Sequence, residues 1–314
     1  MDFRQLQYML KVAEERSFSK AAQKLYIAQP SLSQYIQKLE HQLGIQLFDR
    51  STTPLRLTYA GELYAETAKK ILDLKDQLSQ QMEDIADLKK GRLTIGLSPF
   101  RTTYIMPKIL PLFLEKFPGI EVVLLEGTSS ELEDMAIKGV TDISIMTLPV
   151  EENLFSYDPI FTEEILVALP SNHYLSKSVN KDVKEASLYN KLHLNTLKEE
   201  SFILLKQNQK LHQISTSLCK QAGFKPKIIL ESESIEAAHA LVTAGMGITF
   251  VPDTLILFQQ SNNKPYYFSM EGLNPTRTLV VAYRKERYLS RAAKEFIYMS
   301  RNILGSFNKE KVLL

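Results

Sequence analysis

Residues 17–50 read SFSKAAQKLYIAQPSLSQYIQKLEHQLGIQLFDR, and this stretch decides the fold of the first part of the chain. Its central segment opens with Gln29-Pro30-Ser31 and closes with Leu43-Gly44. Proline is tolerated in the first turn of a helix, where its missing N–H has no intrahelical bond to lose. Glycine ends a helix by taking up a left-handed conformation. Between these signals Leu32, Ile36, Leu39 and Leu43 recur at helical spacing and form a stripe for burial. The opposite face carries Ser33, Gln34, Gln37, Lys38 and His41. Upstream, Ala21, Ala22 and Leu25 mark a short helix that Ser17 or Ser19 caps. Phe3, Leu6, Leu10 and Ala13 mark an earlier helix that ends at Arg16–Ser17. Downstream, Leu47-Phe48-Asp49-Arg50 and Leu55-Arg56-Leu57-Thr58 flank a turn at Ser51-Thr52-Thr53-Pro54, the pattern of a β-hairpin wing. Two readings stay open for this winged helix-turn-helix. It is a generic three-helix core, or it reads DNA by placing the second helix of the pair in the major groove, N-terminus first. Gln amides match adenine there, and Pro, Ala or Thr methyl groups touch thymine.

The longer run FRQLQYMLKVAEERSFSKAAQKLYIAQPSLSQYIQKLEHQLGIQLFDR, followed by LRLTYAG, resembles the winged helix-turn-helix of the LysR family of transcriptional regulators across residues 3–61. SFSKAA, AQPSLSQ, LE..LG..LF.R and LT.AG all stand at the family's spacing. The resemblance implies base contacts from Gln29, Pro30, Ser31, Ser33 and Gln34, with Lys38, Arg50 and Arg56 toward the sugar-phosphate backbone. Many relatives carry Arg where Gln34 stands. Gln gives up a charge and a phosphate or guanine contact, so a shifted half-site preference is expected. An interrupted palindrome with T and A at its ends is the operator form the family implies. The implied partners are double-stranded operator DNA, a small-molecule effector, further copies of the chain as a homodimer or homotetramer, and RNA polymerase.

Residues 59–89 continue as one helical pattern without Pro, and Thr58 is placed to cap it. A heptad read from Tyr64 sets Tyr64, Thr67, Ile71, Leu74, Leu78, Gln81, Ile85 and Leu88 on one seam, as in a coiled coil. Gln81 sets register or antiparallel orientation. About 30 residues at ~1.5 Å each give a spacer of roughly 45 Å. The alternative is a helix packed on its own domain. LysR relatives dimerise through the corresponding helix.

Beyond Lys89-Lys90-Gly91 short apolar runs alternate with amphipathic helical segments. The candidate strands are Leu93–Leu97, Glu121–Leu125, Asp142–Met146, Ile165–Leu169, Phe202–Leu205, Ile228–Glu231, Ile248–Val251 and Leu279–Tyr283. Such alternation predicts an α/β fold with mostly parallel sheets. Its spacing suits two lobes, with crossings near 161–164 and 265–270 and a helix around 288–304 returning to the first lobe. The family resemblance implies a two-lobed, periplasmic-binding-protein-like effector domain. The expected fold is thus an N-terminal all-α winged helix-turn-helix with a long linker helix, then an α/β two-lobed effector domain. The expected domains are 1–58 (DNA-binding), 59–89 (linker and dimerisation helix) and 91–314 (regulatory). Within the last, lobe I takes 91–161 and 268–305 and lobe II takes 162–267.

In open α/β sheets ligands sit beyond the carboxyl ends of strands, near helix N-termini. That rule selects the segments after the first three strands and after Phe202–Leu205. The resulting effector candidates are Ser98, Arg101, Thr102, Thr128, Thr147 and Lys206, with Gly247 and Thr249 as weaker ones. Each has a bland alternative: the hydroxyls as helix caps, the two cations as surface charge. If both cations face the cleft, a small anionic effector is expected. Phe100 and Phe202 read as core.

Composition sets outer bounds. Of 314 residues, 44% are hydrophobic and 24% charged, and the formal net charge is +2. Residues 1–58 hold eight Lys/Arg against five acids, a modest basic bias. A single cysteine, Cys219, reads as a buried thiol rather than a redox sensor. The five histidines show no metal-ligand spacing, and neither a G-x-S-x-G elbow nor a phosphate loop is present. No catalytic residue, metal site or cofactor is therefore nominated, and no enzyme is expected. The opening MDFRQLQYML is no signal peptide and no apolar run nears ~20 residues, so a cytoplasmic protein with no membrane partner is expected. Two function classes remain: an effector-responsive transcription factor, or a small-molecule-binding or enzymatic α/β protein whose helical head serves protein contacts.

Overall fold

A computed structural model describes residues 2–85, 91–175, 189–258 and 265–313. The chain forms two compact units, Met1–Met82 and Glu83–Leu314. In the first, α1 (Phe3–Glu15), α2 (Phe18–Lys24) and α3 (Gln29–Leu43) surround one core, followed by a small hairpin of β1 (Phe48–Asp49) and β2 (Arg56–Leu57). The long helix α4 (Tyr59–Ile85) starts from that hairpin. Ser17 caps α2, Gly44 ends α3 with φ of 69°, and the Thr58 hydroxyl accepts from the Gly61 amide at 3.0 Å to start α4. Gly61 has a reason to be glycine, since a Cβ there would lie 2.0 Å from the Leu47 carbonyl oxygen. The buried stripe of α1 is Leu6, Met9 and Val12, while Phe3 is exposed, so the face is rotated from the expected one. In α3, Leu32, Ile36 and Leu39 are buried as expected, and Leu43 is exposed at the C-terminal end.

Ala65 and Ala68 are buried and Tyr64 packs on the head core, so the first turns of α4 belong to the head. Farther along, Leu74, Leu78 and Met82 are exposed by 64%, 56% and 52% on one side of the helix. Only the backbone of Ile85 is described, and Leu88 and the Lys89–Lys90 pair lie outside the described residues.

The second unit is built on an eight-stranded sheet in the order β4 (Ile120–Glu126), β3 (Gly91–Leu97), β5 (Ile143–Thr147), β12 (Thr276–Arg284), β6 (Phe155–Leu169), β11 (Tyr266–Met270), β7 (Asn190–Leu192). A further strand, β10 (Thr249–Pro252), also pairs with β6. Strand β8 (Ser201–Leu205) pairs in parallel with β9 (Lys227–Ser232). The helices α5 (Pro99–Tyr104), α6 (Met106–Lys116), α7 (Ser129–Ile137), α8 (Lys210–Gln221), α9 (Ile235–Thr243), α10 (Asp253–Phe258) and α11 (Arg291–Leu313) fill the connections and faces. All eight expected strands are present.

Strand direction departs from expectation. β3 pairs in parallel with β4 and β5, but β12 is antiparallel to both β5 and β6, and β10 and β11 are antiparallel to β6. The reason is the return of the chain: β12, the last strand, enters between β5 and β6, which run in the same direction, and runs against both. β6 is one strand of 15 residues threaded through two cores. Ile160 and Phe161 pack with Ile95, Phe113, Leu279 and Phe296, and Ile165–Leu169 pack with Phe202, Leu204, Val251 and Phe268. The return crossing falls at 271–275, where Gly272 has φ of 73°, because Phe268 and Met270 still belong to the second core. Helix α11 then packs on the first core, through Ala293, Phe296 and Leu304.

Candidate functional site

Two surfaces carry candidate chemistry, one in each unit. On the head, the apolar stripe of α3 is fixed inward by the core, so its other face points outward. Gln29, Pro30, Ser31, Gln34, Gln37 and Lys38 are exposed, and Ser33 is half-buried. Ala28 supplies no side-chain cap, so the first amides of α3 are free of any local acceptor side chain. Such amides, with the positive end of the helix dipole, suit an anion. Arg56 is exposed on the hairpin opposite Asp49. Arg50 differs: its Nη2 donates to the Glu40 Oε2 at 2.9 Å and its guanidinium lies 5.2 Å from the centre of the Phe18 ring. Glu40 is buried and also accepts from the amides of Leu47 and Phe48, at 2.8 and 3.1 Å. One carboxylate thereby bolts α3 to the hairpin and holds Arg50 in place. Glu40 was not singled out from the sequence, where it reads as one more polar residue of a helix.

In the second unit a cleft of about 680 Å³ opens where the strand ends and helix N-termini converge. Ser98, Arg101, Thr128 and Thr147 line it from the side of β3, β4 and β5, and Lys206 from the side of β8. Thr102, Gly247 and Thr249 are not in its lining. The Thr249 hydroxyl is buried and donates to the Ile203 carbonyl at 2.6 Å. Gly247 sits where a Cβ would fall 2.6 Å from the Ser201 carbonyl oxygen, so its role is close strand packing. Thr128 forms a capping box with Glu131 at the start of α7: Glu131 accepts from the Thr128 amide at 2.7 Å, which holds the Glu131 carboxyl below its ordinary value.

The charges of the cleft are arranged differently from what the sequence suggested. Arg101 is 4% exposed, and both of its terminal nitrogens donate to Glu163 of β6. Glu163 is fully buried and also accepts from Arg277 Nε and the Thr254 hydroxyl. Burial opposes its ionisation, but Arg101 and Arg277 outweigh it and hold the carboxyl at about 2. Lys206 is exposed and paired with Glu233. Lys210, at the first turn of α8, donates to the carbonyls of Thr147 and Pro149, each at 2.7 Å, and lies 3.7 Å from Glu133. It bridges the two sides of the cleft and also borders a second cavity of about 450 Å³ beside Ile214 and Pro275. Burial lowers its pKa, against the pull of Glu133. Arg277, Lys210 and Glu163 were missed from the sequence. The one available signal was Arg277 itself, a charge between two threonines just before the apolar run of β12.

Cys219 is buried, and burial pushes its thiol up to about 12, which leaves it unreactive at neutral pH. No helix among the described residues is long and apolar enough to cross a membrane.

Comparison with known proteins covers both units. Residues 3–62 match the model of the bacterial regulatory helix-turn-helix protein, lysR family, and residues 86–304 match the LysR substrate binding domain. The uncharacterized HTH-type transcriptional regulator YcgK of Bacillus subtilis is 33% identical, over 97% of this chain and 95% of its own length. The HTH-type transcriptional regulator AlsR of Bacillus subtilis is 31% identical, over 96% of this chain and 95% of its own. Among solved structures, full-length CbnR complexed with its target DNA superposes with a TM-score of 0.66 at 23% identity, over 96% of this chain and all of that one, which attests the shared fold. The chain belongs to the LysR family of DNA-binding transcriptional regulators, with its helix-turn-helix at residues 3–62 and its substrate-binding domain at 86–304.

Proposed function

We propose that the first turn of α3 enters the major groove of an operator, with Gln29, Pro30, Ser31, Ser33 and Gln34 at the bases. Lys38 and Arg56 reach phosphates, and Arg50, clamped by Glu40, adds a fixed positive charge beside them. The observation that carries this reading is the exposed polar face of α3, aimed outward by a fully buried opposite stripe. Bidentate contact from Gln29 to a base is worth about 1–3 kcal/mol of discrimination. Gln29→Ala is therefore expected to relax sequence preference by that amount in competition binding assays, and unchanged preference would remove Gln29 from the reading set. Lys38→Ala should weaken binding about equally on every sequence and reduce the salt slope by about 1. A sequence-dependent loss would contradict its assignment to phosphate.

Two copies pair along α4, whose exposed Leu74, Leu78 and Met82 supply an apolar seam. Pairing sets two reading heads on two half-sites, and a tetramer and RNA polymerase are the larger assemblies this arrangement serves. A small anionic effector binds in the cleft, which it does not convert. It shifts the population between two lobe arrangements and so changes the angle between DNA-bound heads. Support comes from Arg277, a buried cation in the lining of the cleft. The same DNA bend and footprint length with and without bound effector would refute this coupling.

A further inference from the structure

One of the two cations expected to bind the effector, Arg101, is spent inside the protein. Glu163 takes both of its terminal nitrogens, and one carboxylate then also serves Arg277, but only through Nε. The two terminal nitrogens of Arg277 have no hydrogen-bond partner among the described residues, and neither is sealed from solvent. Arg277 is nine-tenths buried and is one of the residues that line the cleft. Glu163 and then Asp253 are the acids whose charge acts on Arg277. A guanidinium with its flat terminal edge free presents two parallel donors, the geometry that a carboxylate satisfies end-on.

The remaining charges of the lining oppose a second anion. Lys206 is matched by Glu233, and Lys210 by Glu133 and two carbonyls. Glu131 is taken up in the cap of α7. Glu126 and Glu236 also line the cleft and form no ion pair among the described residues, though Glu236 accepts from the Ser234 hydroxyl at 2.8 Å. Away from Arg277 the walls are thus negative in excess, and between the charges stand Leu132, Ile145, Met146, Leu211 and Ile235.

We propose that Arg277 is the specificity-determining cation of the cleft and that the effector is a monoanion with an apolar body, a monocarboxylate rather than a dicarboxylate. This rests on the reading of the cleft as the effector site. The carboxylate closes onto the free edge of Arg277, its body lies on the apolar wall, and a second carboxylate would meet Glu126 and Glu236 unpaired. Arg277 is held rigid by Glu163, so little side-chain freedom is lost on binding.

The test uses the full chain and four probes matched in pairs: butyrate against succinate, and benzoate against phthalate. Binding is read by titration calorimetry at fixed ionic strength. The expected result is binding of both monocarboxylates, about tenfold or more tighter than their dicarboxylate partners, a difference set by one lost charge match. Arg277→Gln should weaken the monocarboxylates by about tenfold or more, while a cooperative urea unfolding transition of the regulatory unit reports that it is folded. The double substitution Glu126→Gln with Glu236→Gln, at the cleft wall, should narrow the gap by strengthening succinate and phthalate. Equal binding of the two classes by the unmodified chain, no binding of either monocarboxylate, or undiminished binding by folded Arg277→Gln would each overturn the proposal. A probe that changes the operator footprint while binding Arg277→Gln normally would sink the subsite and leave the cleft's regulatory role standing. A probe bound through Arg277 that leaves the footprint unchanged would do the reverse.

Discussion

Replacing Glu163 by Gln should destabilise the regulatory unit by about 3–5 kcal/mol, the usual cost of breaking a buried ion pair from one side. The substitution is nearly isosteric, so no cavity contributes. What changes is charge: Arg101 and Arg277 would remain 4% and 9% exposed with no carboxylate between them. Urea unfolding of the full chain measures this, and a loss below about 1 kcal/mol would contradict the account of the cluster. The pH dependence follows from the same groups. Glu163 is held at about 2 in the folded chain, below the ~4.3 of an unperturbed glutamate. A lowered folded-state value means its contribution is fully present above the unfolded pKa and is lost as pH falls toward 2. The wild-type chain should therefore lose stability across that acid window, and Glu163→Gln should lose less of it there.

Replacing Glu40 by Ala should cost the head about 3–5 kcal/mol, since two buried amides and an arginine lose a charged acceptor together. The amides of Leu47 and Phe48 are buried at the root of the hairpin, where water does not replace the carboxylate. A small unit has little stability in reserve, so α1, α2 and α3 should become labile and operator affinity should fall with them. Hydrogen exchange of the α1–α3 amides is the direct measurement. Unchanged protection there would show that the Glu40 bonds are dispensable.

Much of this molecule was legible because local signals and the fold agree. Pro30 and Gly44 bracket α3, Ser17 and Thr58 cap the helices after them, and short apolar runs mark the strands buried on both faces. The departures share a physical cause, which is that a charge does not announce its partner. The first half of β6, FSYDPIFTEE, looks like a polar loop until Glu163 is seen to meet Arg101 and Arg277, 62 and 114 residues away. For the same reason Arg101 read as a ligand-facing cation, whereas Arg277 kept its free edge unnoticed. Strand direction was misjudged because the antiparallel pairings of β12 join it to β5 and β6, far back in the chain, which the local α/β rhythm does not register. On α1 the stripe was started at the exposed Phe3, because an aromatic at a helix start mimics a core residue, and so ran through Leu10 and Ala13 in place of Met9 and Val12.

The central claim is that α3 reads DNA and that the second unit governs it. DNase footprinting of the purified chain on the DNA upstream of its own gene and its divergent neighbour, across a salt series, tests this most directly. The account predicts a protected site of several helical turns that contains an interrupted palindrome, with affinity that falls steeply as salt rises. A folded chain that protects no specific site on that DNA at any salt would contradict it.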